Sequence, residues 1–195
     1  MKKSRRKFLK AIGGTSALLA AGVIPEDSHA KVIELKPEKE SQKIYSPNDK
    51  MRIATIGMGI IGYYDTEAAL KVEGTELVAA CDLYDGRLLQ AKNVFGKHLV
   101  TTRDYREILE RKDIDAVIIC TPDHWHNKIA IDAMNKGKHV YCEKPVVHQL
   151  SQGLEVIEAQ KKTKKVLQVG SQRTSSLALI EAKKIYESGA IGQIN

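Results

Sequence analysis

A lysine held between a glutamate and a proline is the first candidate for chemistry in this chain. Glu143, Lys144 and Pro145 follow directly after an apolar run that ends at Cys142. Packing explains a lysine in this place poorly, whereas a lysine whose pKa is lowered by burial can orient a hydroxyl group and move its proton. On the residues alone, an ordinary Glu-Lys surface turn is an equal alternative.

A second candidate segment is rich in histidine and begins where another apolar run ends. Thr121 and Pro122 follow Cys120, and the segment ends with His124, a tryptophan and His126. Cys120 and the two histidines could suggest a metal site. However, histidines separated by one residue at a helix start do not share a face, as an i, i+4 pair would. We therefore predict no metal, and a turn that borders a ligand pocket with one functional histidine.

A glycine-rich turn is the third candidate segment. Its residues are Gly57, Met58, Gly59, Ile60, Ile61 and Gly62. In the pattern G-x-G-x-x-G the first glycine permits a sharp turn, the second lets a pyrophosphate approach the backbone, and the third lets helix and strand pack closely. A phosphate there would face the free N–H groups at the start of the next helix. The turn predicts a dinucleotide site.

An aspartate stands where dinucleotide binding requires one. Asp82 ends an apolar run about 20 residues after Gly62, the spacing of the dinucleotide fingerprint. A carboxylate there accepts hydrogen bonds from the ribose hydroxyls of adenosine and repels a 2′-phosphate, so we predict NAD in preference to NADP. Arg87 follows on the next predicted helix and could still reach this region. An aspartate that only caps that helix would be compatible with either cofactor.

The elements that position these segments alternate along the chain from Met51. We predict strands at residues 52–56, 76–81, 115–120, 138–142 and 166–169, and a short edge strand at 99–101 before a helix capped by Thr102. Helices are predicted at residues 60–72, 86–95, 104–110, 123–135 and 152–161. Apolar strands separated by helices indicate an α/β fold with a doubly wound parallel sheet. The three candidate segments would then meet at the carboxyl edge of the sheet.

The first thirty residues predict an export signal. A basic head precedes an uncharged apolar stretch at residues 11–24, and Ala30 ends a small-x-small pattern that a signal peptidase could cut. The segment SRRKFLK at residues 4–10 resembles the twin-arginine (Tat) signal, so we expect the Tat machinery as a partner and a periplasmic or otherwise exported location. The apolar stretch is too short for a membrane-spanning helix. An uncleaved, anchoring N-terminus is the alternative.

Charge and cysteine content narrow the function classes. The net charge is +7, but four of the seven excess positive charges lie in residues 1–30, so we predict no nucleic-acid partner. Residues 31–50 have few apolar side chains and are predicted to be a linker. Cys81, Cys120 and Cys142 each end an apolar run, which favours buried, reduced thiols over a disulfide framework. Folding in a reducing cytoplasm before export is consistent with such thiols.

Together these segments resemble the Gfo/Idh/MocA oxidoreductases. The glycine turn, the Thr-Pro turn with His126, the Gly-Lys-His-Val segment at residues 137–140 and the Glu-Lys-Pro turn carry the resemblance. It implies an NAD(P)-binding Rossmann domain at residues 51–170 and, at residues 171–195, the beginning of a second α/β domain for substrate. Lys144 would be catalytic beside the nicotinamide. The cofactor pocket would be lined by Thr121, Pro122, His126, Glu143 and Lys144, with Arg173 near the domain junction.

The resemblance implies hydride transfer between a nicotinamide and a hydroxyl-bearing carbon of a sugar or polyol. NAD-dependent glycoside hydrolysis, which related proteins with Tat signals perform, and a non-catalytic nucleotide-binding domain are the alternatives. Because the chain stops where the family's second domain begins, we expect an incomplete protein that holds the nucleotide-binding half. A homo-oligomer of the full-length protein is a further expectation.

Overall fold

The computed structural model describes residues 50–192. The predicted export signal at residues 1–30, the linker up to residue 49 and the last three residues lie outside the described part of the chain. Within residues 50–192, no helix is both long enough and apolar enough to cross a membrane.

Six parallel strands form one sheet. They are β1 (Met51–Ile56), β2 (Thr75–Cys81), β3 (Val100–Thr102), β4 (Ala116–Ile119), β5 (His139–Glu143) and β6 (Leu167–Gly170). Their order across the sheet is β3-β2-β1-β4-β5-β6, with every neighbouring pair parallel. The chain therefore moves outward from β1 to β3 and then crosses back to β4. This doubly wound order confirms the predicted fold class and places a topological switch point between β1 and β4, where such sheets bind ligands.

The helices agree with the predicted ones apart from two differences. They are α1 (Ile60–Leu70), α2 (Asp85–Phe95), α3 (Tyr105–Glu110), α4 (His126–Asn135), α5 (Gln152–Thr163) and α6 (Leu177–Glu187). The predicted helix at residues 123–135 begins instead with a 3₁₀ turn, Asp123–Trp125, and α6 was not predicted. The predicted Thr102 cap of α3 was wrong. Thr102 still belongs to β3, and the Asp104 side chain accepts the hydrogen bond from the Arg106 N–H.

The inner strands β1, β2, β4 and β5 carry buried side chains on both faces, which explains why they read as apolar runs, whereas the edge strands β3 and β6 are mostly exposed or half-buried. Side chains such as Ile56 and Val117 belong to one buried cluster, while Ile53 and Ile118 belong to the other. All three cysteines are free thiols. Burial raises the pKa of Cys81 to about 12 and that of Cys142 to about 12, so these thiols stay protonated near neutral pH. Reduced, unreactive thiols were the expectation from the sequence.

Candidate cofactor-binding and active site

Backbone contacts fix the glycine turn between β1 and α1. Gly57 has a φ of +97°, and a Cβ there would lie 2.6 Å from the carbonyl carbon of Cys120. The Gly57 N–H donates to the Cys81 carbonyl at 2.7 Å. A Cβ at Gly62 would collide with the Gly57 carbonyl oxygen. The first and third glycines are therefore required by the packing of the fold itself, as the pattern predicts.

The second glycine has a different environment. Among residues 50–192, the atoms within 4 Å of a Cβ at Gly59 belong to the Arg87 guanidinium, the closest at 3.7 Å. Gly59 is the residue before α1, and no side chain caps the first N–H groups of that helix. Space above the backbone together with uncapped N–H groups is what a pyrophosphate needs. The chain thus fits the phosphate part of a dinucleotide at this point.

The remaining residues of the turn divide between core and surface. The Met58 side chain is buried in the sheet packing, while Ile60 and Ile61 are exposed at the start of α1. Contact of these residues with a cofactor would therefore come through their backbone atoms. Two clefts border the turn: one of about 450 Å³ reaches from Gly57 to Trp125, and one of about 350 Å³ lies over Gly59.

Asp82 connects β2 to the glycine turn. The carboxylate is buried and accepts hydrogen bonds from the Met58 N–H at 2.8 Å and the Tyr84 N–H at 2.9 Å. Arg87 lies 3.4 Å from the same carboxylate and is half exposed. Asp82 therefore stabilises both the glycine turn and the start of α2, and it lines the larger cleft together with Arg87. The arginine does reach the predicted ribose region, where it pairs with the aspartate.

The Thr121-Pro122 turn lies at the end of β4, across the cleft from Asp82. A Cβ at Gly57 would come within 2.8 Å of the Thr121 backbone nitrogen, so the two turns are in direct contact. The Thr121 hydroxyl is buried without a hydrogen-bond partner in the described part of the protein. Buried hydroxyls without partners are rare in proteins and call for an explanation. A cofactor group at this turn would supply the missing partner.

His126 joins two turns of the site. Its ring is 2% exposed, with Nδ1 at 2.7 Å from the Pro145 carbonyl oxygen and Nε2 at 2.7 Å from the Thr121 carbonyl oxygen. Carbonyl oxygens only accept hydrogen bonds, so the ring makes both bonds when both nitrogens carry protons, and one bond when it is neutral. Because each ring nitrogen lies against the carbonyl oxygen of a different turn, His126 positions the turns that line the pocket.

The Glu143-Lys144-Pro145 turn follows β5 at the same edge of the sheet. The Glu143 carboxylate is buried, and it accepts hydrogen bonds from the Lys144 N–H at 3.3 Å and the Tyr141 hydroxyl at 3.4 Å. The Lys144 side chain is exposed. A buried glutamate that holds the backbone of an exposed lysine is compatible with a site turn and with an ordinary surface turn, and the structure does not show the burial that was expected for the lysine side chain.

Neither Arg173 nor the three side chains of the metal alternative form part of a common site in the described residues. Arg173 is exposed within a 3₁₀ turn, Gln172–Ser175, and it is the neighbouring Gln172 side chain that bonds to Glu143. The three side chains of the metal alternative have separate partners. The Cys120 thiol donates to Asp65, the His124 ring lies 3.8 Å from Asp123, and the His126 ring is held by carbonyl groups.

The Gly-Lys-His-Val segment stabilises the fold and lies away from the site. Lys138 is buried, and its ammonium donates to the carbonyl oxygens of Arg111 and Ile114. Burial lowers the pKa of this lysine. His139 accepts a hydrogen bond from the Val166 N–H at 3.0 Å, so its ring connects β5 to the start of β6.

Sequence reasoning missed Asp65, which lies on α1 against the Glu143 turn. Its carboxylate accepts hydrogen bonds from the Cys120 thiol at 3.4 Å and the Gln172 amide at 3.3 Å. One signal could have found it. Gly62 and Thr66 mark the buried side of α1, and Asp65 precedes Thr66 on that helix. A partly buried carboxyl group in this place needs a hydrogen-bond partner.

The fold and the site define an NAD-binding domain of the doubly wound α/β class. The chain belongs to the Gfo/Idh/MocA family, since residues 51–171 match the family model described as an oxidoreductase family with an NAD-binding Rossmann fold. The match confirms the resemblance noted in the sequence and the prediction of NAD as cofactor.

Two kinds of relative are similar to this chain. The alpha-N-acetylgalactosaminidase of Shewanella oneidensis is 35% identical over 172 residues, covering 83% of this chain and 38% of that protein. The inositol 2-dehydrogenase of Salmonella paratyphi B is 33% identical over 145 residues, covering 73% of this chain and 43% of that protein. The chain thus spans about two fifths of the length of these relatives.

Solved structures of inositol dehydrogenases are also similar to this chain. The myo-inositol 2-dehydrogenase of Lactobacillus plantarum superposes with a TM-score of 0.67 at 34% identity, covering 74% of this chain and 43% of that one. The scyllo-inositol dehydrogenase of Lactobacillus casei, solved with NAD(H) and scyllo-inositol bound, gives a TM-score of 0.65 at 28% identity, with the same coverage of 74% and 43%.

Proposed function

We propose that this chain is the nucleotide-binding part of an NAD-dependent oxidoreductase that transfers a hydride between nicotinamide and a hydroxyl-bearing carbon of a sugar or polyol. One observation carries the proposal. The glycine turn, Asp82 and the Lys144 turn lie at the ends of β1, β2 and β5, along one edge of the sheet. The inositol dehydrogenases among the relatives support a polyol substrate.

NAD, when bound, supplies the hydride acceptor for the oxidation of an alcohol. The protein's own groups have three tasks. The N–H groups after Gly59 bind the phosphates, and the Asp82 carboxylate binds the adenosine ribose. The exposed Lys144 side chain, free of any salt bridge within the described residues, holds the substrate hydroxyl and, in its neutral amine form, takes the hydroxyl proton as the hydride leaves. His126 fixes the direction of the lysine turn through the Pro145 carbonyl.

NAD-dependent glycoside hydrolysis is the second candidate. It is favoured by the alpha-N-acetylgalactosaminidase and by the glycosyl hydrolase family 109 proteins of several Shewanella strains, which are 34% identical to this chain over 172 residues. In that reaction the sugar is oxidised and reduced again, so the cofactor shows no net change. The intact Glu143-Lys144-Pro145 turn supports the simpler dehydrogenase.

Turnover of a sugar and polyol panel tests the proposal. The polypeptide should contain this chain together with a second domain of the length that the relatives have, and the reaction is followed by nicotinamide absorbance and by glycoside release. Net NADH formation supports the dehydrogenase. Glycoside release without net reduction supports the hydrolase, and cofactor binding without either reaction supports a non-catalytic domain.

Lys144→Ala in the same protein should leave the fold and cofactor binding intact while hydride transfer falls by about 10²–10⁴-fold, the usual contribution of a positioned acid or base. Lys162→Ala, on the exposed side of α5, removes the same charge away from the site and serves as the control. Wild-type turnover of the Lys144 variant would reject the proposed role.

We also propose export by the Tat machinery, on the strength of the SRRKFLK segment at residues 4–10. Tat substrates are folded before they cross the membrane, which suits a protein with protonated, buried thiols and a cofactor to acquire. Replacing Arg5 and Arg6 together by lysine should retain the protein in the cytoplasm, as measured by fractionation of the producing cells. Unchanged export of the double variant would contradict the proposal.

A further inference from the structure

We propose that Asp65 and Glu143 share one proton in mildly acidic solution, and that Asp65 and Gln172 are positioning residues that hold the Glu143-Lys144 turn. The pair joins α1, which begins at the phosphate-binding turn, to the turn that carries the candidate catalytic lysine. Only the link to catalysis rests on the proposed function, because the shared proton is a property of the folded chain.

The Glu143 carboxylate lies beside Gly170 of the neighbouring strand. Glu143 and Gly170 are register partners of the neighbouring strands β5 and β6. A Cβ at Gly170 would collide with Glu143 Oε1 and would lie 2.8 Å from the Tyr141 hydroxyl. The missing side chain at Gly170 therefore gives the carboxylate room to lie across β6, on the side of the sheet that faces α1.

Both acids share one amide group. Gln172 Nε2 donates to Glu143 Oε1 and also to Asp65 Oδ1, the latter at 3.3 Å. Because one nitrogen reaches both carboxyl groups, the two acids are close neighbours. The Cys120 thiol donates to Asp65 Oδ2 at 3.4 Å, so each acid is held by its own donor in addition to the shared amide.

The groups around Asp65 and Glu143 carry no charge that would compensate two carboxylates. The groups that face the pair are the Cys120 thiol at the end of β4, the Tyr141 hydroxyl and Cys142 thiol of β5, and the Gln172 amide. All of them are neutral near pH 7, since burial raises the pKa of Cys120 and raises that of Tyr141 to about 12. No lysine or arginine of residues 50–192 forms a salt bridge with either acid.

Two neighbouring carboxyl groups without a cation resist carrying two negative charges, so the pair keeps a proton that separate acids would lose. Burial, and to a smaller extent the neighbouring Glu143, raises the pKa of Asp65. Glu143 is the more buried of the two, and it accepts the Lys144 N–H and the Tyr141 hydroxyl. Within the described residues Asp65 accepts only the weak Cys120 thiol donor besides the shared amide, so we place the shared proton on Asp65.

The sign of the pH effect follows from this placement. A carboxyl group whose pKa is raised on folding binds its proton more tightly in the folded state, so it contributes less stability as the pH rises through the folded pKa. Asp65→Asn keeps a neutral side chain of the same shape and removes this dependence. The melting temperature of Asp65→Asn relative to wild type should therefore increase as the pH rises above about 4, the ordinary pKa of aspartate.

Two controls define that measurement. Glu158→Gln removes one carboxylate from the exposed side of α5 and should give the same difference from wild type at every pH. Asp65→Ala loses the contacts with Cys120 and Gln172 and should melt below wild type throughout. A difference for Asp65→Asn that stays constant with pH, like that of Glu158→Gln, overturns the shared proton.

NMR tests the positioning role without any turnover. In ¹⁵N-labelled protein the Lys144 amide signal should shift as the pair titrates, because its N–H donates to Glu143. Asp65→Asn should move the midpoint of that shift to lower pH, and Gln172→Ala should displace the signal, while Thr174→Ala in the same 3₁₀ turn should not. A Lys144 signal unaffected by both variants overturns the positioning role. None of these results depends on whether the protein is a dehydrogenase.

Discussion

Asp82 offers the sharpest test of the cofactor site, because one carboxylate supports both the fold and the ligand. In Asp82→Ala the N–H groups of Met58 and Tyr84 lose their acceptor, and Arg87 loses its ion-pair partner. A bound NAD would also lose the acceptor for its ribose hydroxyls. The variant therefore separates two effects, a loss of stability and a loss of cofactor selectivity.

The magnitudes follow from the contacts. A hydrogen bond to a charged group contributes about 1.5–3 kcal/mol, and each 1.4 kcal/mol corresponds to about a tenfold change in affinity. Loss of one ribose bond should therefore weaken NAD binding by about 10–100-fold. NADP binding should suffer less, because removal of the carboxylate also removes its repulsion of a 2′-phosphate and leaves Arg87 free. The orphaned Met58 N–H should cost about 1–3 kcal/mol of folding free energy.

Titration of NADH and NADPH, followed by fluorescence, measures the selectivity, and chemical denaturation measures the stability. Asp85→Ala is the matched control, since that aspartate lies three residues away and forms an exposed ion pair with Arg103 at 3.1 Å. Exposed pairs of this kind contribute about 0–1 kcal/mol, so the control should change neither quantity by much. An equal loss of affinity for both cofactors, or no loss at all, refutes the assignment of Asp82 to the ribose.

Four further substitutions probe the other parts of the site. Gly59→Ala should leave the melting temperature nearly unchanged, because the added Cβ lies near the Arg87 side chain, but it should abolish NADH binding, because the Cβ fills the space for the pyrophosphate. Gly62→Ala should destabilise the fold itself, because its Cβ collides with backbone. Similar melting temperatures for the two variants would contradict this difference. His126→Ala should lower the free energy of unfolding by about 1–3 kcal/mol through loss of the buried ring and its hydrogen bonding to the Pro145 and Thr121 carbonyl oxygens, measured by denaturation. Arg87→Ala should weaken NADPH binding more than NADH binding in the fluorescence titration, and a larger loss for NADH would refute its placement beside the ribose.

Local patterns determine most of the fold. Strands buried on both faces, such as β1 and β4, cannot be confused with surface segments, and the glycine turn marks the first crossover. Apart from α6, which was not predicted, the errors lie at helix starts. Thr102 and Asp104 are both good capping residues, and only the end of β3 decides between them. The 3₁₀ turn before α4 has the same composition as a helix start, so the residues alone do not distinguish the two.

The candidate site was predictable in detail only where residues close together in the sequence form the contact. The glycine turn and Asp82 belong to one β-α-β unit with a fixed spacing, so the bond between Met58 and Asp82 is a consequence of a known geometry. The contact between Asp65 and Gln172 joins residues 107 positions apart. No periodicity or local motif encodes such a distance, so that part of the site emerges only when the strands are placed side by side.

The two halves of the site are therefore held by different kinds of contact. The phosphate-binding half depends on backbone packing around Gly57 and Gly62, which tolerates no side chain. The half that carries Lys144 depends on side chains from other elements. His126 contacts the Pro145 carbonyl, and Asp65 and Gln172 lie beside Glu143. Changes in the first half should remove binding or folding outright. Changes in the second should leave the cofactor bound but the lysine misplaced, so these residues would tune the chemistry on a common nucleotide-binding frame.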